Sequence, residues 1–137
     1  MRNIRVCSAL IETNGKILLA KKGEDKRHHM KLEGEWHFPG GKAEKDERLE
    51  DALKREIREE LNINIKIERL VDISQKQAGD ITVKFFWFLC HPVDAEKIKL
   101  NKEITAISWV NRKAVPKNLR EDLVSKLPDK ILNYLTQ

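Results

Sequence analysis

The chain has 137 residues, 27 basic against 22 acidic side chains, and a net charge of +5, with 40% hydrophobic and 36% charged residues. That size fits one domain, residues 1–137, with a real hydrophobic core, and the composition excludes a disordered chain or a coiled coil. The modest positive balance suits a polyanionic ligand such as a nucleotide without pointing to a nucleic-acid partner. The longest apolar run, Phe85 to Cys90, is far too short to cross a bilayer, and the first residues lack the apolar stretch of a signal peptide. A cytoplasmic protein with no membrane partner is expected. Cys7 and Cys90 each lie in an apolar, strand-like segment and read as buried small hydrophobes, not as a disulfide or a metal pair.

Ile4 to Glu12 has strand character, and Asn14-Gly15 is a hairpin turn leading into Ile17-Leu18-Leu19-Ala20. A polar basic loop follows, Lys21 to Lys31, in which His28 and His29 read as solvated residues. Trp36-His37-Phe38 is a short strand ending at Pro39-Gly40-Gly41. Leu49, Leu53, Ile57 and Leu61 recur every four residues and predict a helix over 49–61. Asn62 suits the left-handed residue that ends it. Strands are expected over 63–73, 81–91 and 104–110, with a turn at Ala78-Gly79-Asp80. A helical region spans about Leu119 to Leu135, with Pro128 opening its last segment. Strands around one mid-chain helix, followed by a terminal helix, predict an α/β (α+β) sandwich with a mixed sheet.

The mid-chain helix carries the chemistry. At 100° per residue, Leu53, Ile57 and Leu61 form its buried stripe, and Glu56, Glu59 and Glu60 lie immediately beside it. Lys54, Arg58 and Asp51 fall on the other side. Glu56 and Glu60 are i, i+4 neighbours about 6 Å apart. Two such charges repel by about 3 kcal/mol at an effective dielectric near 20. A divalent cation removes that penalty, and carboxylates plus water suit Mg2+. The bland alternative is a solvated Glu-rich helix with Arg55 and Arg58 supplying local ion pairs. The Pro39-Gly40-Gly41 turn speaks against it, because it sets flexible backbone ahead of the helix where a carbonyl can face a metal and an N–H a phosphate.

The stretch from Gly41 to Ile63 resembles the Nudix box, G-x5-E-x7-R-E-U-x-E-E-x-G-U, where U is a bulky aliphatic. Gly41, Glu47, Arg55, Glu56, Ile57, Glu59, Glu60 and Ile63 match at the required spacing, and Asn62 stands where the box has glycine. Asparagine tolerates the left-handed conformation, so the departure touches the helix end and not the carboxylates. The resemblance implies a Nudix-like α/β/α sandwich and a pyrophosphohydrolase. It implies that Glu56, Glu59 and Glu60, with the carbonyl of Gly40, bind Mg2+, for which Mn2+ is an alternative. Glu47 and Arg55 would form a supporting pair that orients the site.

Beyond the box, the chain is most similar to MutT-like nucleoside triphosphate hydrolases. Trp36 to Lys42 resembles their segment entering the box, and with it Phe38 is expected at the substrate. Lys102-Glu103, ahead of Trp109, resembles a later loop whose glutamate serves as a further metal ligand or base. Asn118 resembles a purine-reading asparagine, the alternative being a cap for a helix starting near Leu119. Lys22 sits where a basic substrate contact is expected. The implied reaction converts a nucleoside triphosphate, oxidised or not, to a monophosphate and pyrophosphate, with Glu56 or Glu103 taking the proton. The proline and tyrosine that mark the ADP-ribose and dinucleotide polyphosphate branches are missing near Ala78 and Asp80. Capped RNA would call for a wider basic surface. A rival of another class is a nucleotide-binding module without turnover, although such modules usually lose box carboxylates that are all present here. The sequence leaves the oligomeric state open.

Overall fold

The structure is a computed structural model that describes residues 2–23 and 35–137. The basic loop expectation, including His28 and His29, therefore falls largely outside the described residues. Among the described residues there are seven strands: β1 Arg2–Thr13, β2 Lys16–Lys22, β3 Trp36–His37, β4 Gly40–Lys42, β5 Ile65–Ala78, β6 Ile81–Pro92 and β7 Ile104–Asn111. Four helices accompany them: α1 Leu49–Leu61, α2 Val115–Asn118, α3 Glu121–Ser125 and α4 Asp129–Thr136.

The strands form one sheet in the order β3-β2-β1-β6-β5, with β4 also on β1 and β7 also on β2. β1 and β6 run parallel from Arg2 opposite Ile81 to Ile11 opposite Cys90, and every other pairing is antiparallel. The sheet is thus mixed. Alternation along β1 and β2 decides what each face buries. Cys7, Ala9, Ile11, Leu18 and Ala20 point to one face, where they pack with Leu53, Ile57 and Leu61 of α1. Leu10, Ile17 and Leu19 point to the other and meet Val115, Leu119, Ile131 and Leu135 of the C-terminal segments. Helices cover both faces, which is the expected α/β/α sandwich. Both cysteines are free and buried, and burial pushes the Cys7 thiol up to about 11 and the Cys90 thiol to about 12.

The β1–β2 hairpin turns at Asn14 and Gly15, both with positive φ, as the Asn-Gly pair requires. Helix α1 matches the expected span, begins with Glu50 and Asp51 near its positive end, and closes on Asn62 at φ 60°.

Three expectations are corrected. The strand after α1 starts at Ile65 and runs on to Ala78, because Gln75, Lys76 and Gln77 keep pairing with β6 beyond the last apolar residue. Phe38 falls outside the strand formed by Trp36 and His37. The helical region expected over 119–135 begins later and is broken into α3 and α4, with the short α2 ahead of it. Leu119 and Arg120 are extended, which places the Leu119 side chain in the second core, while Pro128 is the N-cap that opens α4, as expected. Among the described residues, no helix is long and apolar enough to cross a membrane.

Candidate active site

The segment from β3 to α1 delivers the acidic site. After Pro39 the chain joins β1 as β4, with Gly40 opposite Ser8 and Gly41 opposite Cys7. Gly40 has φ +151°, and a Cβ there would collide with the Cys7 carbonyl. At Gly41 a Cβ would lie 2.5 Å from the Glu56 carboxyl carbon. Gly40 is therefore demanded by the close backbone, whereas at Gly41 the space for a Cβ is taken by the movable Glu56 carboxylate.

The three helix glutamates sit at different depths. Glu59 has 57% of its side chain exposed and Glu56 has 18%, while Glu60 as a residue is 4% exposed. One carboxylate oxygen of Glu60 accepts the Gly40 N–H at 3.3 Å. Burial first, and then the neighbouring Glu56 and Glu103 charges, push the Glu60 carboxyl up to about 8, against the partial relief of Lys22 and the Gly40 N–H. Glu56 is also raised, chiefly by burial, with Glu59 and Glu103 adding to it and Arg55 opposing. Glu103, at the foot of β7, thus reaches the same site electrostatically from a separate loop.

Arg55 is the hub of the cluster's outer side. Its Nε and Nη2 donate to the two oxygens of Glu47, both at 2.9 Å, and Nη2 also donates to the Lys42 carbonyl at 3.2 Å. Its Nη1 donates to Glu56 at 3.0 Å and to Glu59 at 3.4 Å. Glu47 also accepts the Glu44 N–H at 2.9 Å. The Arg55 bonds, then that N–H, hold the Glu47 carboxyl down to about 2, and the Arg55 guanidinium is raised in turn, first by Glu47. The pair pins the loop between β4 and α1 to the helix.

Among the described residues, no three His, Cys, Asp or Glu side chains form a ready-made metal cage. Glu56 and Glu59 are both engaged by the Arg55 guanidinium. A hydrated divalent cation needs only one or two carboxylates with water completing its shell. The donor set suits such an ion: Glu60 is buried beside two further carboxylates, and among the described residues no lysine or arginine forms a salt bridge with it. A buried carboxylate that Lys22 and the Gly40 N–H relieve only in part is costly, and a bound cation would offset the remainder.

The expected substrate residues divide between the faces. Lys22 ends β2 on the α1 side, near Glu60. Phe38 lies on the opposite face, edge-on to Trp87 with ring centroids 5.6 Å apart. Asn118 belongs to α2, which packs on that same face, and it is exposed. Its Nδ2 donates to the Ala114 carbonyl at 2.8 Å. The helix-cap alternative for Asn118 is overturned, because α3 starts after Arg120 without any side-chain cap.

Three further residues lie near the expected site residues. His37 is 8% exposed, and burial lowers its imidazole to about 4, so it is neutral. Its Nδ1 faces the Glu35 carbonyl, and among the described residues its Nε2 has no partner. A lone buried histidine in an aromatic segment gives no other signal. Trp87 pairs with Phe38, but its spacing resembles that of any core aromatic. Asn101, two residues before Glu103, had a legible signal, the short polar side chain that closes a turn on the backbone two residues on.

Comparison with known proteins bears on the family and the fold. A family model described as the NUDIX domain matches residues 1–130. The chain is 32% identical over 121 residues to "Nucleoside triphosphatase NudI" of Escherichia fergusonii, covering 80% of this chain and 83% of that protein. Among solved structures it resembles the E. coli ORF135 protein with a TM-score of 0.71 and 28% identity, over 98% of this chain and 87% of the other. It shares its fold with a MutT protein from Methanosarcina mazei Go1 at a TM-score of 0.76 and 24% identity, over 98% and 93% of the two chains.

Proposed function

The chain belongs to the Nudix family of hydrolases, which act on phosphoanhydride bonds, and from that premise we propose that it hydrolyses a nucleoside triphosphate to a nucleoside monophosphate and pyrophosphate. The reading is supported by the curated relative, whose name describes a nucleoside triphosphatase. The observation that carries it is the buried Glu60 carboxylate between Gly40, Glu56 and Glu103.

Family members generally use divalent metal ions, and Mg2+ is proposed here, with Mn2+ as a substitute. Glu56, Glu59, Glu60 and Glu103, with the Gly40 carbonyl, would hold it. When bound, such an ion neutralises charge on the phosphate oxygens and makes water easier to deprotonate. Glu56 or Glu103 takes the proton from the attacking water, pyrophosphate leaves, and the oxygen of that water remains on the nucleoside phosphate. Lys22 faces the charge spread over the phosphate oxygens. Arg55 and Glu47 act by orienting the carboxylates and the loop. Phe38, with Trp87 beside it, offers an aromatic edge to the base, and Asn118 is proposed to read a purine.

Product analysis for a panel of GTP, dGTP, 8-oxo-dGTP, CTP, ADP-ribose and dinucleotide polyphosphates, with Mg2+ and with chelator, scoring pyrophosphate from the triphosphates and released nucleotide from the others, tests this. Magnesium-dependent release from a triphosphate supports it. Nucleotide binding without any release would favour the non-catalytic module, and turnover confined to the last two substrates would move the chain to another branch.

A further inference from the structure

Glu103 is fixed through its backbone from two sides. Its N–H donates to Oδ1 of Asn101 at 2.9 Å, and the Ile104 N–H donates to the same oxygen at 3.1 Å. Its carbonyl accepts the N–H of Gly23, the residue after Lys22, at 2.8 Å. Asn101 is itself tied to the metal-side helix, because its own N–H donates to the Glu60 carbonyl at 3.2 Å. The Lys99 N–H donates to the Leu61 carbonyl at 3.0 Å, and Nδ2 of Asn62 donates to the Lys97 carbonyl at 3.3 Å. The segment from Lys97 to Glu103 is thereby laid along the last turn of α1, on carbonyls that a helix end leaves unpaired.

We propose that Asn101 is a positioning residue that fixes Glu103 relative to Glu60. It does so by accepting the Glu103 and Ile104 N–H groups while its own backbone is bonded to Glu60. Glu103 comes from a loop and Glu60 from a helix, so nothing in either element alone sets their separation. Asn101 links them in two hydrogen bonds: Glu60 carbonyl to Asn101 N–H, and Asn101 Oδ1 to Glu103 N–H. An asparagine side chain suits the task because its oxygen can receive two successive backbone N–H groups in a turn. Asn62, standing in place of the glycine of the family box, adds a tie that glycine cannot make.

The inference rests on the proposed role of Glu103, and a double-mutant cycle separates the two. The variants are Asn101→Ala, Asn101→Asp, Glu103→Gln and Asn101→Ala with Glu103→Gln. They are measured for kcat and KM with a hydrolysed triphosphate, for Mn2+ affinity by electron paramagnetic resonance, and for amide exchange at Glu103 and Ile104 in metal-free protein. Asn101→Ala should speed both exchange rates, lower kcat by ~10-fold or more and weaken Mn2+ binding, as losing a partner of a metal-site residue does, with nucleotide KM little changed. Asn101→Asp keeps the accepting oxygen and should restore exchange protection and most of kcat. In the Glu103→Gln background, Asn101→Ala should cost no further kcat. Asn101→Ser, a weaker acceptor, gives an intermediate kcat and carries the test should the alanine variant not fold. Full kcat in Asn101→Ala beside a defective Glu103→Gln overturns the inference, as does a loss that simply multiplies with that of Glu103→Gln. Full activity in Glu103→Gln instead overturns the role of Glu103 itself, and this inference with it.

Discussion

Arg55 and Glu47 face each other through two parallel hydrogen bonds of 2.9 Å, and the same guanidinium extends to Glu56 at 3.0 Å. A forked pair of this kind fixes orientation as well as distance. Arg55 therefore couples the loop before α1 to the side chains proposed to hold the metal. Arg55→Lys keeps the charge but cannot make the fork. It should lower kcat by ~10- to 100-fold, the usual effect of disturbing an outer partner of a metal site. Glu47→Gln should act in the same direction, and the double variant should be no worse than the more damaging single. Steady-state kinetics on the three proteins check this, and independent, multiplying losses would reject the coupling.

Glycine demands at the site separate fold from function. Gly41→Ala puts a methyl group against the Glu56 carboxylate, the flexible end of a side chain that can move aside. Stability should change little while activity falls by more than ~10-fold, because a carboxylate is displaced. Gly40→Ala meets the Cys7 carbonyl, which is backbone and cannot give way, at a φ that L-residues rarely adopt. That variant should lose several degrees in Tm or fail to fold. Calorimetry beside kinetics distinguishes the pair, and equal loss of Tm in both would contradict the packing at Gly41.

The Glu60 carboxyl gives the metal-free protein a predictable pH dependence. Burial and neighbouring charges raise it to about 8 in the folded state, from an unfolded value of 4.5. The folded state therefore holds this proton more tightly, and the resulting stabilisation is complete below pH 4.5 and lost as pH rises to about 8. By linkage the change is at most about 5 kcal/mol. In chelator, Tm should fall across that window, and Glu60→Gln should flatten the fall while removing activity. A wild-type Tm profile identical to that of Glu60→Gln would sink this account.

Metal binding should oppose that fall. Mg2+ or Mn2+ should raise Tm at pH 8, since a ligand bound only by the folded state stabilises it by mass action. The shift should shrink in Glu56→Gln and Glu59→Gln. Equal shifts in wild type and both variants would place the ion elsewhere.

Helix α1 was legible because its apolar residues recur every four positions and because the box fixes where its carboxylates stand. The depth order Glu60, Glu56, Glu59 was only half legible: the helical angle puts all three beside the stripe, but burial depends on β4 passing over Glu60, which is tertiary. Strand β5 outran its apolar pattern since edge pairing needs backbone groups and not hydrophobic side chains. The C-terminal helices were over-joined because Leu119 keeps helical spacing with later leucines while its backbone is extended. Proline at 128 then disfavours helix in the residue before it. Asn101 carries a local turn signal toward Glu103, but its bond to the Glu60 carbonyl joins two elements and has no signal in the sequence.

Base selection turns on Asn118. Asn118 sits on the sheet face of Phe38 and Trp87, exposed, with Nδ2 given to the Ala114 carbonyl. Oδ1 remains as an acceptor, and Nδ2 has a second hydrogen to offer. If Asn118 reads a purine edge, Asn118→Ala leaves the base's polar groups without partners, which costs about 1–3 kcal/mol. Then kcat/KM for guanine nucleotides should fall by roughly 5- to 150-fold, with CTP little affected because the phosphate contacts are untouched. If the amide merely closes the end of α2 on Ala114, every substrate should change alike, and Tm should drop by a few degrees. Kinetics with GTP, dGTP, 8-oxo-dGTP and CTP, beside a melting curve, decide between them. A uniform change across bases would reject the reading role and leave Asn118 as the last residue of a short helix.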